Sequence, residues 1–434
     1  MRVALITDHP SPLAGPGDAY PADPGTSLGS LATALAGLGT QVTAYVTMPR
    51  PAARGRAGAA PQPRPSKLAP GAVLEPLRVH DGDADDPIAQ RIRELADQLA
   101  ARWQDRPPDV VHAHSWSAGV AALAAGRGLN LPLVQTFYSL AVQDGPSAGA
   151  RRARLELALA RGARAVLVGA SADSSALARL GVPQAAIGVV PPGVDTSLFQ
   201  ADGPAASRDG RPRLLMVVGA SLADDRGPAA ALHTLAAVPD AELVIAGGPD
   251  TAQLARDPGR QALGKLAGQL GVDDRVTFTG QVTRAGIPGL MRSADVLLNL
   301  NPRGLLARVT IEAMACGLPV VAVNSSAHQD AVLDGTTGYL MASTQPAPLA
   351  RRIRQLLASP LREGMAIAAA TRARDRYSWE RIGTETLAVY QATVQQDTVQ
   401  QDTVQQDTVQ QAGPVAEEPE PGPEPAAAGP ADEP

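Results

Sequence analysis

The sequence predicts an α/β protein with two doubly wound domains that face each other across a cleft. Short apolar runs rich in β-branched residues alternate with amphipathic helical patterns from the first residues onward. Because these runs are apolar throughout, helices must cover both faces of each sheet. The rhythm breaks once and then restarts, and a chain of 434 residues with 44% hydrophobic residues exceeds one ordinary core.

The first half of the chain carries the pattern of a parallel sheet. Its predicted strands are, in order, residues 3–7, 41–47, 109–114, 131–137 and 165–170. Between the first two strands, leucines recur at helical spacing and so share one helix face; they are Leu28, Leu31, Leu35 and Leu38. The Pro- and Arg-rich stretch from Pro49 to Pro70 is predicted to be a long mobile loop, either plain surface or a cover for the cleft.

A linker separates this half from a second sheet. The Gly-, Pro-, Ala- and Asp-rich run 200–212 contains no periodic pattern, and apolar strands resume after it. The later predicted strands are residues 213–219, 241–248, 275–280, 294–300 and 318–323. We therefore expect an N-terminal domain over 1–195, a linker over 196–212, a C-terminal domain over 213–375 and a C-terminal helix over 376–391.

The tail has a composition of its own. From Thr393 the sequence repeats TVQQD and then becomes rich in Pro, Ala and Glu. A five-residue repeat advances each Val by about 140° around a helix, so the valines form no stripe. Residues 392–434 are therefore predicted to be a disordered, acidic tail.

Charge and cysteine content exclude several classes of function. The formal net charge is −5 and the pI is about 5.7, so no basic face is offered to nucleic acid or to an anionic membrane surface. The single cysteine, Cys316, cannot form an internal disulfide and is interpreted as a small core residue. No apolar run is long enough for a signal peptide or a transmembrane segment, and we expect a cytoplasmic protein.

Four motifs carry a resemblance to a known family. DVVHAHSWSAG, IGVVPPGVDTSLF, AELVIAGGPD and VTIEAMACGLPVVAV are similar to segments of the retaining GT-B glycosyltransferases of family 4. The resemblance covers about residues 1–391. HPSPLAGPGDA and PLVQTFYSL most resemble the actinobacterial branch that includes the mycothiol-pathway D-inositol 3-phosphate N-acetylglucosaminyltransferase. The implied fold is GT-B, with two Rossmann-like domains.

The resemblance also implies a reaction. A nucleoside-diphosphate sugar would lie against the C-terminal domain, and an acceptor, which the sequence does not identify, against the N-terminal one. The family uses no catalytic metal, and we expect no cofactor; basic side chains and backbone N–H groups at a helix start neutralise the departing diphosphate. Of the family's E-x7-E acids, the second, which binds ribose hydroxyls, falls on Glu312, whereas the first falls on Gly304.

Other donor-binding positions differ from the family. Where the family reads G-R-L and then K-G, this chain has Gly219-Ala220 and then Arg226, whose guanidinium can still bind phosphate in bidentate fashion. Ala307 stands where the family has Gly, with a backbone N–H available to a phosphate. Arg303 and Arg308 flank the Gly304 turn and are either replacements for the missing Arg or solvated surface arginines.

The N-terminal domain contributes the predicted acceptor side. His114 with Trp116 matches an H-x-W pattern of the family, and Tyr138 stands where the family has a His near the reacting sugar. The family's Gly-Gly loop aligns with Ala22-Asp23. We name His114 and Tyr138 as the catalytic candidates, although a strand histidine can equally be structural.

His112 and His114 lie two residues apart on one strand and therefore face the same side of the sheet. No cysteine or carboxylate cluster accompanies them, so no metal site is predicted. The basic residue that holds a phosphorylated acceptor in the mycothiol branch is missing around Val142 and Gln143, which argues against an inositol phosphate acceptor.

The sequence is compatible with two functions of different kinds. In the first, the chain is a working glycosyltransferase in which Arg226, Glu312 and the helix start after Gly304 bind the donor. In the second, it is a degenerate paralogue that serves as a binding or partner subunit, since Gly304, Ala220 and Tyr138 replace polar family residues. A third alternative is an epimerase that acts on nucleotide sugars, since such enzymes share the fold.

Overall fold

Two large sheets of mostly parallel strands organise the protein, one in each half of the chain. The structure is a computed structural model and describes residues 1–8, 19–20, 26–49, 64–80, 86–138, 140–141, 149–223, 227–301 and 307–411.

The first sheet has eight strands in the order β4-β5-β3-β1-β6-β7-β8-β9. All neighbouring strands are parallel except the antiparallel pair β4 and β5. The strands of this half, including β2, which lies outside the sheet, are β1 (Arg2–Thr7), β2 (Ala19–Tyr20), β3 (Gln41–Pro49), β4 (Ser66–Ala69), β5 (Ala72–Val79), β6 (Val110–Ala113), β7 (Leu133–Phe137), β8 (Ala165–Val168) and β9 (Ile187–Val189).

Five helices connect these strands. They are α1 (Thr26–Gly37), α2 (Pro87–Trp103), α3 (Trp116–Ala125), α4 (Ala150–Gly162) and α5 (Ser171–Arg179). The prediction that Leu38 lies on the apolar face of the first helix is wrong, because α1 ends at Gly37 and Leu38 is 39% exposed. The start of α2 shows why such a segment folds locally, because the Asp86 carboxylate accepts from the Ala89 N–H at 3.1 Å and Pro87 occupies the first turn.

The second sheet has six strands, all parallel, in the order β12-β11-β10-β14-β15-β16. The strands of this half are β10 (Arg213–Val217), β11 (Glu242–Ala246), β12 (Val276–Gly280), β13 (Val282–Thr283), β14 (Val296–Asn299), β15 (Val320–Val323) and β16 (Gly338–Met341). β13 leaves the sheet and pairs antiparallel with β2 of the first half.

Nine helices belong to this half as the structure describes it. They are α6 (Gly227–Ala236), α7 (Thr251–Leu254), α8 (Pro258–Leu270), α9 (Ile287–Ser293), α10 (Ala307–Ala315), α11 (Ser326–Ala331), α12 (Pro346–Leu357), α13 (Arg362–Tyr377) and α14 (Trp379–Gln411).

Each sheet separates two apolar layers. Val3 and Leu5 of β1 pack against α1 and the C-terminal helix, whereas Ala4 and Ile6 pack toward α2 and α3. This alternation follows from the two-residue period of a strand. The predicted α/β fold with two Rossmann-like sheets is therefore confirmed, with helices on both faces.

The prediction of a single long loop from Pro49 to Pro70 is wrong at its C-terminal end. Ser66–Ala69 forms β4, which turns through Pro70 and Gly71 into β5. Gly71 has φ +85°, a conformation that favours glycine, and its carbonyl accepts from the Val42 N–H at 2.8 Å. Residues 50–63 lie outside the described part of the chain.

The last helix, α14, crosses back to the N-terminal half. Ile382 and Tyr390 are buried in the core that α1 lines, and Gly383 packs closely on Ala34. The sequence predicts a helix end at Gln391 and disorder from 392, but the helix continues to Gln411. Thr393 is buried and Val394 packs on the same core, and no Gly or Pro interrupts the repeat before Gly413. Residues 412–434 are outside the described ranges.

Among the described residues, no helix combines the length and the apolar composition needed to cross a bilayer.

Candidate functional site

Glu312 lies on α10, at the boundary between the two halves of the protein. Its carboxylate is buried, with the residue 1% exposed. The buried amide of Asn299, at the end of β14, donates to the Thr310 hydroxyl at 3.0 Å and fixes α10 against the sheet. A carboxylate in such a place requires partners, because desolvating an unpaired charge is costly.

Three side chains supply those partners. Oε1 of Glu312 faces two guanidinium groups, with Arg284 Nη1 at 3.4 Å and Arg308 Nε at 3.6 Å. Oε2 accepts a hydrogen bond from the Tyr20 hydroxyl. Two positive charges and a phenol therefore surround one negative charge.

Arg308 joins the two halves. It sits one turn before Glu312 on α10, and its Nη1 lies 3.5 Å from the Ser27 hydroxyl on α1. Its side chain is only 13% exposed, so the interpretation as a solvated surface arginine is wrong. The cause is the packing of the α10 face toward α1, which the sequence pattern alone does not show.

Arg284 is a residue that sequence reasoning misses. It follows β13 directly, is 12% exposed, and places its guanidinium carbon 5.2 Å from the centre of the Phe199 ring. A cation over an aromatic face is held in position as well as attracted. The only signal was the pair of short β-branched runs VTFTG and VT that end just before it.

Tyr20 is the second residue that the sequence does not single out. It comes from β2 in the N-terminal half, yet its side chain is buried in the core of the C-terminal half, 2% exposed. Its backbone pairs with Val282, and its ring lies 6.3 Å from that of Phe199. Burial, and then the negative charge of Glu312, raise the pKa of Tyr20 well above its ordinary value, so the phenol remains a donor.

Of the other residues predicted to bind the donor, some lie within the described part of the chain and others lie outside it. Gly219 follows the carboxyl end of β10, where its carbonyl accepts from the Gly248 N–H at 2.8 Å and the space that a Cβ would occupy is open. Ala307 is the first residue of α10. Arg226 and Gly304, like Arg303, lie outside the described residues, as do Ala22-Asp23 and Val142-Gln143.

The two catalytic candidates of the N-terminal domain are in contact. His114 Nδ1 and the Tyr138 hydroxyl are 2.9 Å apart, past the carboxyl ends of β6 and β7. His114 is buried, whereas Tyr138 is 39% exposed. A hydroxyl at the surface bonded to a buried imidazole is an arrangement that can pass a proton.

His112 has a structural role. Its ring lies 4.0 Å from that of His114, centroid to centroid, which confirms that the two share one side of the sheet. Nδ1 lies 2.6 Å from the Tyr390 hydroxyl of α14, and Nε2 lies 2.7 Å from the Thr136 hydroxyl. Both ring nitrogens are thus engaged by protein. Within the described ranges, no three His, Cys, Asp or Glu side chains are grouped as a metal site requires.

Burial, and then the nearby His114, lower the pKa of His112 well below its ordinary value. The folded protein therefore resists a proton that the unfolded chain accepts below about pH 6.5. The contribution of His112 to the free energy of unfolding is fully present above that pH. It is lost as the pH falls toward the pKa of His112 in the folded protein, by up to about 1.4 kcal/mol per pH unit.

We expect the free energy of unfolding from urea titrations to fall between about pH 7.5 and about pH 5.5, with a smaller fall in His112→Gln. Burial also lowers the pKa of the buried His328, which is present in both proteins. His328 therefore lowers the free energy of unfolding in the same pH range in both, and the difference between the two proteins reports His112. An identical pH slope in wild type and variant contradicts the assignment.

Cys316 is buried in the apolar core of the C-terminal half, as predicted for a core residue. Burial raises the pKa of its thiol to about 12, so the thiolate form is absent at neutral pH.

Comparisons with known proteins identify the family of the chain. The model for glycosyltransferase family 4 matches residues 25–198, and the model for glycosyl transferases group 1 matches residues 206–374. A D-inositol 3-phosphate glycosyltransferase of Mycobacterium bovis BCG is 30% identical over 411 residues, covering 90% of this chain and 83% of that relative. The Streptomyces bingchenggensis protein of the same name is 27% identical over 416 residues, covering 90% and 89%.

Solved structures share the fold. Sucrose-phosphate synthase from Thermosynechococcus elongatus superimposes with a TM-score of 0.74 at 23% identity, covering 90% of this chain and 98% of that one. Anabaena HepE, solved in complex with UDP and glucose, gives a TM-score of 0.64 at 18% identity, covering 89% and 98%. With both halves of the chain matched by the family models, this protein belongs to the GT-B glycosyltransferases of family 4 and group 1.

Proposed function

We propose that this protein transfers a hexosyl group from a nucleoside-diphosphate sugar to a small-molecule or glycan acceptor, with retention of configuration. The observation that carries the proposal is Glu312, a buried carboxylate between two guanidinium groups at the boundary of the two halves. Relatives supply the class of ligand: HepE was solved with UDP and glucose, and the curated relatives are named as glycosyltransferases.

In this proposal the C-terminal half binds the donor. Glu312 accepts hydrogen bonds from ribose hydroxyls, as the second acid of the family pair does. Arg308 and Arg284 lie within 4 Å of that carboxylate and supply the positive charge that a leaving diphosphate needs. Together with Arg226, Gly219 and the backbone at Gly304 and Ala307, they form the proposed donor site.

The N-terminal half binds the acceptor. The His114 and Tyr138 pair lies at the carboxyl edge of its sheet, where doubly wound folds bind ligands. In the proposed reaction the bond from the anomeric carbon to the diphosphate oxygen breaks as the acceptor oxygen bonds to the same face of that carbon. As the new bond forms, the acceptor proton passes to the Tyr138 hydroxyl, while that hydroxyl's own proton passes to Nδ1 of His114. No metal or cofactor is part of this proposal, and a cytoplasmic location and a protein partner stay predictions.

The reaction is tested by following donor and product together. We expect the protein to release nucleoside diphosphate from one of the UDP-, GDP- or ADP-sugars when it is given a mixed panel of glycan and polyol acceptors. Proton NMR of the product should show the anomeric configuration of the donor. Tyr138→Phe, which removes only the hydroxyl, should lower kcat about 10²-fold or more. An inverted product contradicts retention, and an absence of turnover with every donor favours the degenerate paralogue.

A further inference from the structure

Both carboxylate oxygens of Glu312 are already engaged by the protein. Oε1 faces Arg284 and Arg308, and Oε2 accepts from the Tyr20 hydroxyl. Because Glu312 is only 1% exposed, a ribose hydroxyl can reach its carboxylate only if one of these groups moves aside. Guanidinium groups can turn toward a diphosphate and remain useful to the donor, whereas the phenol of Tyr20 offers the donor no charge.

Tyr20 also fills space on the donor side of the boundary. Its ring is packed among core residues of the C-terminal half and faces Phe199. It reaches that position from the opposite half, because β2 pairs with β13 through Tyr20 and Val282. The contact therefore joins the two halves and engages the proposed ribose carboxylate at once.

We propose that Tyr20 is an autoinhibitory residue whose hydroxyl stands in for a ribose hydroxyl on Glu312, so that a nucleoside diphosphate and Tyr20 compete for one carboxylate. The inference rests on the proposed function of Glu312. Its consequence is quantitative: the apparent nucleotide affinity is reduced by the fraction of molecules in which Tyr20 has left the carboxylate. Donor binding is then linked to the loss of the β2 to β13 contact between the halves.

The test compares nucleotide affinity in variants of the full chain. UDP, GDP and ADP are titrated calorimetrically into wild type, Tyr20→Phe and Tyr20→Ala, with Tyr45→Phe as the control. Tyr45 is likewise a buried tyrosine, but it lies on β3 in the N-terminal half and packs in the core with Ala4 and Ile6, a different core from the one around Glu312. Tyr20→Phe keeps the ring and its packing, so folding is preserved while only the competing hydroxyl is lost.

We expect Tyr20→Phe to bind the preferred nucleotide about tenfold to a hundredfold more tightly than wild type, the value of a hydrogen bond to a charged group. Tyr45→Phe should bind as wild type does. In the absence of nucleotide, Tyr20→Ala should also speed hydrogen exchange at Val282 and Thr283, because the β2 pairing is weakened.

The outcomes separate the two proposals. Tighter binding in Tyr20→Phe, or binding seen only in the Tyr20 variants, supports competition. Equal, saturable binding by wild type and Tyr20→Phe overturns the autoinhibitory role and leaves the proposed function standing. An absence of binding to wild type and to both Tyr20 variants overturns both.

Discussion

Glu312→Ala is expected to lower the free energy of unfolding by about 3 kcal/mol. The substitution leaves Arg284 and Arg308, both largely buried, without the carboxylate between them. Removing one partner of a buried ion pair costs about 3 to 5 kcal/mol because a charge stays desolvated. The lower end applies here, since each guanidinium keeps some contact with water. Urea denaturation followed by circular dichroism measures the effect.

A surface cluster of the same composition provides the control. Glu385 on α14 also pairs with two arginines, Arg376 at 2.5 Å and Arg381 at 3.0 Å, but these groups are more exposed. Glu385→Ala should therefore cost less than about 1 kcal/mol. Equal losses of unfolding free energy in the two variants would show that burial does not set the strength of the Glu312 cluster.

Much of the fold follows from the sequence because its signals are local. In β1, Val3 and Leu5 alternate with Ala4 and Ile6 between two cores, and a two-residue period can be seen in any run of this kind. The packing of α14 against the N-terminal half cannot be predicted in this way, because the residues that it contacts there are far away in the sequence. Tyr390 reaches His112 from 278 positions away, and neither residue signals that contact in its own neighbourhood.

The candidate site likewise combines residues that a local sequence signal reveals with residues that only distant contacts bring into place. Glu312 can be found as an acid inside an apolar helix, and its family motif gives it a role. Its partner Tyr20 is 292 positions away, on a two-residue strand between residues that carry no periodic pattern. Arg284 likewise follows a two-residue strand. Such short elements owe their existence to pairing across the two halves, which local propensity does not encode.

Arg308 illustrates a third case, in which the residue is visible but its environment is not. Its position one turn before Glu312 predicts an ion pair on a helix face. Whether that face meets water or the other half depends on how the two halves meet. Here Ser27 of α1 lies 3.5 Å from its guanidinium, and the arginine is mostly buried.

Donor binding at Glu312 is the claim on which the other functional proposals depend. A carboxylate that accepts hydrogen bonds from ribose contributes about tenfold to a hundredfold in affinity for each charged bond. Glu312→Gln keeps the size of the side chain and removes its charge, which makes it the sharpest variant for this question. Glu385→Gln carries the same change at the surface cluster.

The decisive measurement is a calorimetric titration of UDP, GDP and ADP, with their common sugar conjugates, into wild type, Glu312→Gln and Glu385→Gln. We expect saturable binding of one nucleotide family to wild type and Glu385→Gln, and binding at least about tenfold weaker in Glu312→Gln. Equal affinity in wild type and Glu312→Gln for every nucleotide would contradict it. So would an absence of binding, at millimolar nucleotide, to both wild type and Tyr20→Phe.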